Sequence, residues 1–368
     1  MKIDELAKTN SVWNLYYELS TKKGITEIMI NGSNNVYVER ENEFVRLNVN
    51  IIREDMEKFC QDVAKYNQKV FNKMNPIIDG RMPDGSRINV IASLYTTGTH
   101  VITIRKYLKT IRNFEGNENL FHLTNPKWIE LFQYMVKTKF NIIVSGGTGV
   151  GKTTFLNLLL QEIPKDERVI TIEDTRELQF NLTNVVRLES KNEIADEQRG
   201  LNIRQLLKNT LRMRPDRIIL GEIRSEEAFD LLQAMNTGHD GSMATIHSNS
   251  PAEAVIRLEN LFFLAGYDIP IRAIRHQIQK AVDFIIQIGR NKKGERVIKK
   301  ISEVTGIEDD RILLQDLGQY EDETNEVKFT GLVPHNMRRL MDVGMANDFF
   351  DLEADEIKEN TRNEPEGL

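Results

Sequence analysis

Apolar residues along the first hundred positions recur at two different periods. Leu6, Trp13, Leu15, Tyr16 and Leu19 fall at helical spacing and predict an amphipathic helix over 4–21. Short alternating runs follow at Ile25–Ile30, Asn35–Glu39 and Phe44–Leu47, with Asn31-Gly32 as a hairpin-type turn between the first two. The helical period returns over 53–66. Alternation resumes at Arg87–Ile91, after a turn at Pro83-Asp84-Gly85, and again at His100–Ile104. This mixture predicts a small α+β domain over 1–112. The stretch 113–125 (NFEGNENLFHLTN) is polar and glycine-bearing, and reads as a linker.

From Pro126 the pattern changes to helices alternating with apolar strands, the mark of a parallel-sheet α/β domain over 126–349. A helix over 126–138 leads into the apolar run Ile142–Val144. Further strands are expected at Val169–Ile172, Val185–Leu188, Arg217–Leu220 and Met243–Ile246. Helices are expected over 203–213, 225–237, 251–263 and 270–281. Ile285 to Phe329 reads as two or three β segments with charged turns, and Pro334–Val343 as a last short helix.

Composition changes this picture in a few places. The chain has 368 residues, 40% hydrophobic and 28% charged, the balance of a globular protein of two or three domains. Its one cysteine, Cys60, excludes an intramolecular disulfide and any zinc site built on cysteines. No apolar run approaches the ~20 residues of a membrane span, and MKIDELAKTN has none of the features of a secretory signal. A cytoplasmic protein without a transmembrane segment is expected. The formal net charge is −6, but Asp351, Glu353, Asp355, Glu356, Glu359, Glu364 and Glu366 crowd into residues 350–368 against only Lys358 and Arg362. That tail is expected to be disordered, and the remainder is nearly neutral. A basic stripe with interleaved aromatics is lacking, which argues against nucleic acid as a partner.

The run FNIIVSGGTGVGKTTF, residues 140–155, carries the most specific chemistry. Gly146-Gly147-Thr148-Gly149-Val150-Gly151-Lys152-Thr153 fits the phosphate-binding pattern G-x-x-x-x-G-K-[ST] between a strand and a helix. Glycines let the backbone wrap a polyphosphate, and the helix N-terminus adds donors and positive potential. Lys152 is placed to reach the β- and γ-phosphates, and the Thr153 hydroxyl to ligate Mg²⁺.

Three further clusters stand at predicted strand ends, where α/β sheets bind ligands. Ile170-Thr171-Ile172 ends in Glu173-Asp174, carboxylates able to hold a metal-bound water. Arg217–Leu220 ends in Gly221-Glu222, with glycine where an aspartate is usual in this position. A glutamate one step further suits orientation of the attacking water, although a carboxylate capping the next helix fits the same residues. Met243–Ile246 ends in His247, a candidate donor to a γ-phosphate; His239, in a glycine-rich turn, ranks below it. Phosphoryl transfer also needs a cation at the developing charge. Arg81, Arg87 and Arg105 of the first domain are the candidates, and surface salt bridging accounts for them equally well.

These blocks, in this order, resemble the type II/type IV secretion ATPase superfamily. GGTGVGKTT, ITIEDTREL and RMRPDRIILGEIRSEEAFDLLQAMNTGHDGSMATIHSNSP are similar to its nucleotide, acidic, Walker B and histidine boxes. DGRMPDGSRINVI and ITIRK, with KAVDFIIQIGR, ISEVTGIEDDRILLQDL and FTGLVPHNMRRLMDVG, resemble most the CpaF-like ATPases of Tad (Flp) pilus systems. The paired CxxC motifs that give many type II secretion and pilus extension ATPases a zinc site are missing. The resemblance implies a RecA-like P-loop ATPase core behind a smaller α+β N-terminal domain, assembled as a homo-hexameric motor. Gly146, Gly147, Thr148, Gly149, Val150, Gly151, Lys152, Thr153 and Thr154 are then implied to bind ATP with Mg²⁺. Glu222 is implied as the catalytic carboxylate, with Glu173, His247, Arg87 and Arg105 serving the phosphates. Partners implied are inner-membrane platform proteins of a pilus or secretion system, which would hold the ATPase at the membrane periphery. The alternatives are a nucleic-acid translocase on the same core and a switch that binds nucleotide without hydrolysing it.

Overall fold

In the computed structural model the described residues are 2–350, except 41–42, 97, 108–112, 116–117 and 192–199. The acidic tail therefore lies outside them, apart from its first residue. The chain forms two compact units that divide near residue 110.

The first unit begins with two helices, α1 (Ile3–Leu6) and α2 (Ser11–Thr21), where one was expected. Asn10 makes the break: its side chain accepts from the N–H groups of Val12 and Trp13, each at 3.0 Å, and so caps α2. Strands β1 (Ile25–Ile30), β2 (Val36–Arg40) and β3 (Glu43–Leu47) precede helix α3 (Arg53–Tyr66). Strands β4 (Ile77–Arg81), β5 (Arg87–Ile91) and β6 (Val101–Arg105) complete an antiparallel sheet in the order β3-β2-β1-β6-β5-β4. Trp13, Tyr16, Phe59 and Val63 from the helices share one core with Ile28, Ile88, Val90, Ile102 and Ile104 of the sheet.

Strand β4 was not expected, because Pro76 and Gly80 resemble turn residues. Pro76 lies just outside the strand, and Asn67 holds the strand's end. Its amide accepts from the Arg81 N–H at 2.7 Å and donates to the Arg81 carbonyl at 2.9 Å. A Cβ on Gly80 would stand 2.5 Å from that amide oxygen, so the glycine is what lets Asn67 approach.

The expected linker falls within the second unit. Phe114, Phe121 and Leu123 are all buried in its core, so those positions belong to the domain. The elements then run α4 (Lys127–Lys137), β7 (Ile142–Gly146), α5 (Lys152–Gln161), β8 (Val169–Glu173), β9 (Val185–Glu189) and α6 (Ile203–Thr210). They continue with β10 (Arg217–Ile223), α7 (Glu227–Asn236), β11 (Met243–Ile246), α8 (Pro251–Phe263) and α9 (Ile271–Ala281). Four strands follow where two or three were expected: β12 (Phe284–Arg290), β13 (Arg296–Glu308), β14 (Arg311–Glu321) and β15 (Glu326–Phe329). The last helix is α10 (Met337–Asp342).

One mixed sheet joins these strands in the order β15-β14-β13-β12-β7-β11-β10-β8-β9. From β12 to β9 every neighbouring pair is parallel, and β13 to β15 turn back as antiparallel strands. Two apolar cores cover its two faces. One is built on α4 and α5, the other on α6 to α9. Trp128 of α4 stacks on Phe329 with ring centroids 3.6 Å apart, and its indole N–H donates to the Val327 carbonyl at 2.8 Å. Helix α10 is tied down by one buried and one part-buried acid. Glu303 accepts from the N–H groups of His335 and Asn336, and Asp283 from the Arg339 guanidinium. Burial pushes the Asp283 carboxyl up to about 6, against the N–H of Asn141 and the charge of Arg339, which pull it down.

Candidate functional site

Parallel pairing sends the C-terminal ends of β7, β11, β10 and β8 to a single edge of the sheet. Lys152 follows the first, His247 the second, Glu222 sits on the third and Glu173 ends the fourth. Clusters separated by up to about a hundred residues in the chain thus become neighbours in strand order.

The loop after β7 owes its shape to specific glycines. Gly149 and Gly151 have φ of +69° and +104°, the left-handed region that side chains avoid. Gly146 is held by packing instead. It pairs with Ile288 of β12, and a Cβ there would lie 2.6 Å from the Ile288 carbonyl oxygen and 2.7 Å from Val150. Gly147 has neither constraint: its φ is not positive, and a Cβ would meet only Val150, at 3.7 Å. A Cβ on Gly149 would meet nothing within 4 Å. The loop therefore has an open side bounded by backbone, and no side chain caps the N-terminus of α5. This cradle, with Lys152, Thr153 and Thr154 on the first turn, fits a magnesium-bound polyphosphate. Among the described residues no cluster of three or more His, Cys, Asp or Glu could hold a metal by itself. The Lys152 ammonium donates to the Gly147 carbonyl at 2.8 Å.

From this arrangement Gly146→Ala is expected to destabilise the fold by about 1–3 kcal/mol through overpacking. Gly147→Ala is expected to fold normally yet weaken nucleotide binding at least about tenfold, by crowding the phosphates. Thermal melts and titration with a fluorescent ATP analogue separate the two. Equal melting losses in both variants would show that the fold alone requires Gly147.

His247 reaches the loop directly: its Nε2 lies 3.0 Å from the Thr148 hydroxyl oxygen. Next to it, the Ser145 and Ser248 hydroxyls are hydrogen-bonded, and Thr245 donates to the Gly221 carbonyl at 2.7 Å, so the strand ends are laced together. Gly221 packs against Glu173, where a Cβ would stand 3.2 Å from the Glu173 Cγ. A side chain at 221 would have to push Glu173 aside by a few tenths of an ångström.

Glu222 lies on β10, which runs three residues beyond the expected Leu220. It does not cap the following helix. No side chain caps α7; Glu227, its first residue, ties the helix to the turn before it, its Oε1 accepting from the N–H groups of Arg224 at 2.6 Å and Ser225 at 2.9 Å. The Glu222 carboxylate instead meets Arg224, a residue that sequence reasoning passed over. Arg224 Nε donates to Glu222 Oε2 at 2.7 Å, and Arg224 Nη1 to Asp174 at 2.8 Å. Arg290 was also passed over; it ends β12 and donates to the Gly149 carbonyl at 3.2 Å. Its signal was a cation on an apolar strand, the same feature that drew attention to Arg87 and Arg105.

Glu173 is placed differently from the other candidates. It is buried, and its Oε1 accepts from the N–H groups of Glu177 at 2.7 Å and Leu178 at 2.8 Å. Burial raises its pKa, and those two backbone donors and Arg187 partly offset the shift. Its carboxylate holds the loop after β8.

In the first unit, Arg81, Arg87 and Arg105 stand directly opposite one another across β4, β5 and β6. All three lie on the face away from the core, because Ile78, Ile88 and Ile104 alternate with them as buried residues. Arg87 lies 3.4 Å from Asp79, and Arg105 lies 3.8 Å from Glu27. Such exposed pairs contribute little, and like charges facing each other across strands are unfavourable.

A family model described as "Type II/IV secretion system protein" matches residues 14–317. The conjugal transfer protein TrbB of Rhizobium radiobacter is 31% identical over 305 residues, which cover 82% of this chain and 90% of TrbB. The type IV secretion system protein VirB11 of Bartonella quintana is 31% identical over 271 residues, covering 62% of this chain and 74% of VirB11. Among solved structures, that of the pilus retraction motor PilT with bound ADP is similar in fold. Its TM-score is 0.59 at 20% identity, over 96% of this chain and 88% of PilT.

Proposed function

Because the chain belongs to the type II/IV secretion system protein family, we propose that it is an ATP-hydrolysing motor of that family. One observation carries the proposal: adjacent parallel strands deliver the phosphate loop, His247 and Glu222 to one edge of the sheet. Bound ATP with Mg²⁺ would supply a polarised γ-phosphoryl group as the electrophile. The backbone of Gly146 to Gly151 would hold the phosphates, Lys152 would neutralise them, and the Thr153 hydroxyl would ligate the metal. Glu222 would orient the attacking water. His247, through Thr148, would report whether a γ-phosphate is present.

The arginine row of the first unit completes the reading. Arg87 and Arg105, paired across β5 and β6 on the face away from the core, offer two cations to phosphate, and we assign them to the developing charge of the transition state. The assembly proposed is a homo-hexamer on the cytoplasmic face of the inner membrane, driving platform proteins of a pilus or secretion system. The first-domain and C-terminal motifs favour a Tad-type pilus motor. Among the described residues no helix is long and apolar enough to cross a membrane.

Steady-state ATPase measurements on the full chain test this. Arg87→Ala and Arg105→Ala are each expected to lower kcat at least about 100-fold with nucleotide affinity kept. Wild-type turnover in both variants would remove the row from the active site. Turnover that rises with added DNA or RNA would point to a translocase instead.

A further inference from the structure

A glutamate at a strand end has three free torsions, and orienting a water requires that one carboxylate oxygen be held still. The residues around Glu222 do this asymmetrically. Arg224 Nε and Nη2 both approach Glu222 Oε2, at 2.7 and 2.5 Å. Among the described residues no hydrogen bond falls on Oε1. The same guanidinium turns its other edge to Asp174 Oδ2 at 2.8 Å, and Asp174 Oδ1 accepts from the Ser190 hydroxyl at 2.8 Å. The backbone of Arg224 is fixed as well, since its N–H donates to Glu227 at 2.6 Å. The arginine is therefore braced at the backbone by Glu227 of α7 and at its tip by the residues that follow β8 and β9.

We propose that Arg224 is a positioning residue for Glu222, clamping Oε2 so that Oε1 is the oxygen presented to the attacking water. The inference rests on the reading of Glu222 given above. A guanidinium is suited to the task because it offers donors on two edges of one rigid plane, one for Glu222 and one for Asp174. A lysine ammonium supplies the same charge as a single point and cannot span both acids in fixed geometry. Asp174 also balances the charge, which leaves Arg224 as a brace between two carboxylates.

The test is a set of variants assayed in the full chain with ATP. Arg224→Gln is expected to lower kcat about 10- to 100-fold, the range of a misplaced reacting group, with affinity for a fluorescent ATP analogue within about twofold. Arg224→Lys is expected to recover little of that loss, and Asp174→Asn to lose less than Arg224→Gln. The decisive readout is the double variant. In a Glu222→Gln background, Arg224→Gln should change the residual rate by less than about twofold, because the brace then has nothing to position. A further drop in that background, unchanged kcat in the single variant, or full recovery by lysine would each overturn the proposal. A rise in kcat would overturn it too, showing that Arg224 sequesters Glu222. If Glu222→Gln itself turns over normally, the reading of Glu222 has failed. If it is inactive while Arg224→Gln is normal, only the positioning role has failed.

Discussion

Glu222→Gln is expected to bind ATP within about twofold of the parent while its turnover falls about 10²- to 10⁴-fold, the typical contribution of a positioned acid–base group. The substitution keeps shape and removes only the charge, so the hydrogen bonds that Arg224 makes to Oε2 survive if the amide oxygen takes that place. Glu227→Gln is the natural control, five residues on. That acid accepts from two N–H donors in the turn before α7, and weakening it should cost about 1 kcal/mol of stability with turnover largely retained. Equilibrium nucleotide titration, phosphate-release kinetics and melting curves on both proteins separate the roles. Near-normal hydrolysis by Glu222→Gln would exclude it as the water-orienting carboxylate.

The contrast between these glutamates marks where the sequence stops being informative. Local pattern makes the phosphate loop legible, because glycine spacing, the preceding apolar strand and the following helix all lie within sixteen residues. Three acids within six residues, Glu222, Glu226 and Glu227, cannot be told apart in the same way. Which one stands at the strand's end depends on where β10 stops, and boundaries depend on tertiary pairing. Arg224 was missed for a related reason. Its value comes from Asp174, fifty residues away and two strand ends apart, a distance that only the order β10-β8 closes. The arginines show the intermediate case. Their presence on strands was readable, but their alignment as one row follows from the β4-β5-β6 register, and β4 itself was hidden by its proline and glycine. In the stretch 113–125, average polarity concealed three residues that pack into the core.

The other end of β10 carries the largest expected effect on stability. Arg217 is fully buried. Its Nε and Nη2 both meet Glu167, the latter at 3.1 Å, and Nη2 also donates to the Val136 carbonyl at 2.8 Å. This knot gathers the C-terminus of α4, the turn before β8 and the start of β10 at the edge of the sheet opposite the phosphate loop. The two halves of the pair are not equivalent. Glu167, also buried, has Lys139 as a second cation 3.7 Å away, whereas Arg217 has no second carboxylate among its bonded partners. Glu167→Ala therefore leaves a buried guanidinium without its counter-charge and is expected to cost about 3–5 kcal/mol. For a unit of this size that lowers the melting temperature by roughly 6–20 °C. Arg217→Met removes the more deeply buried charge and leaves Glu167 its second cation, Lys139, so its cost should be the smaller of the two. In both variants turnover per folded molecule at low temperature should match the parent, because the knot touches no residue of the nucleotide edge. Melting of Glu167→Ala within about 2 °C of the parent, or a larger loss in Arg217→Met, would mean that water reaches the guanidinium and that the knot is not the buried anchor its geometry describes.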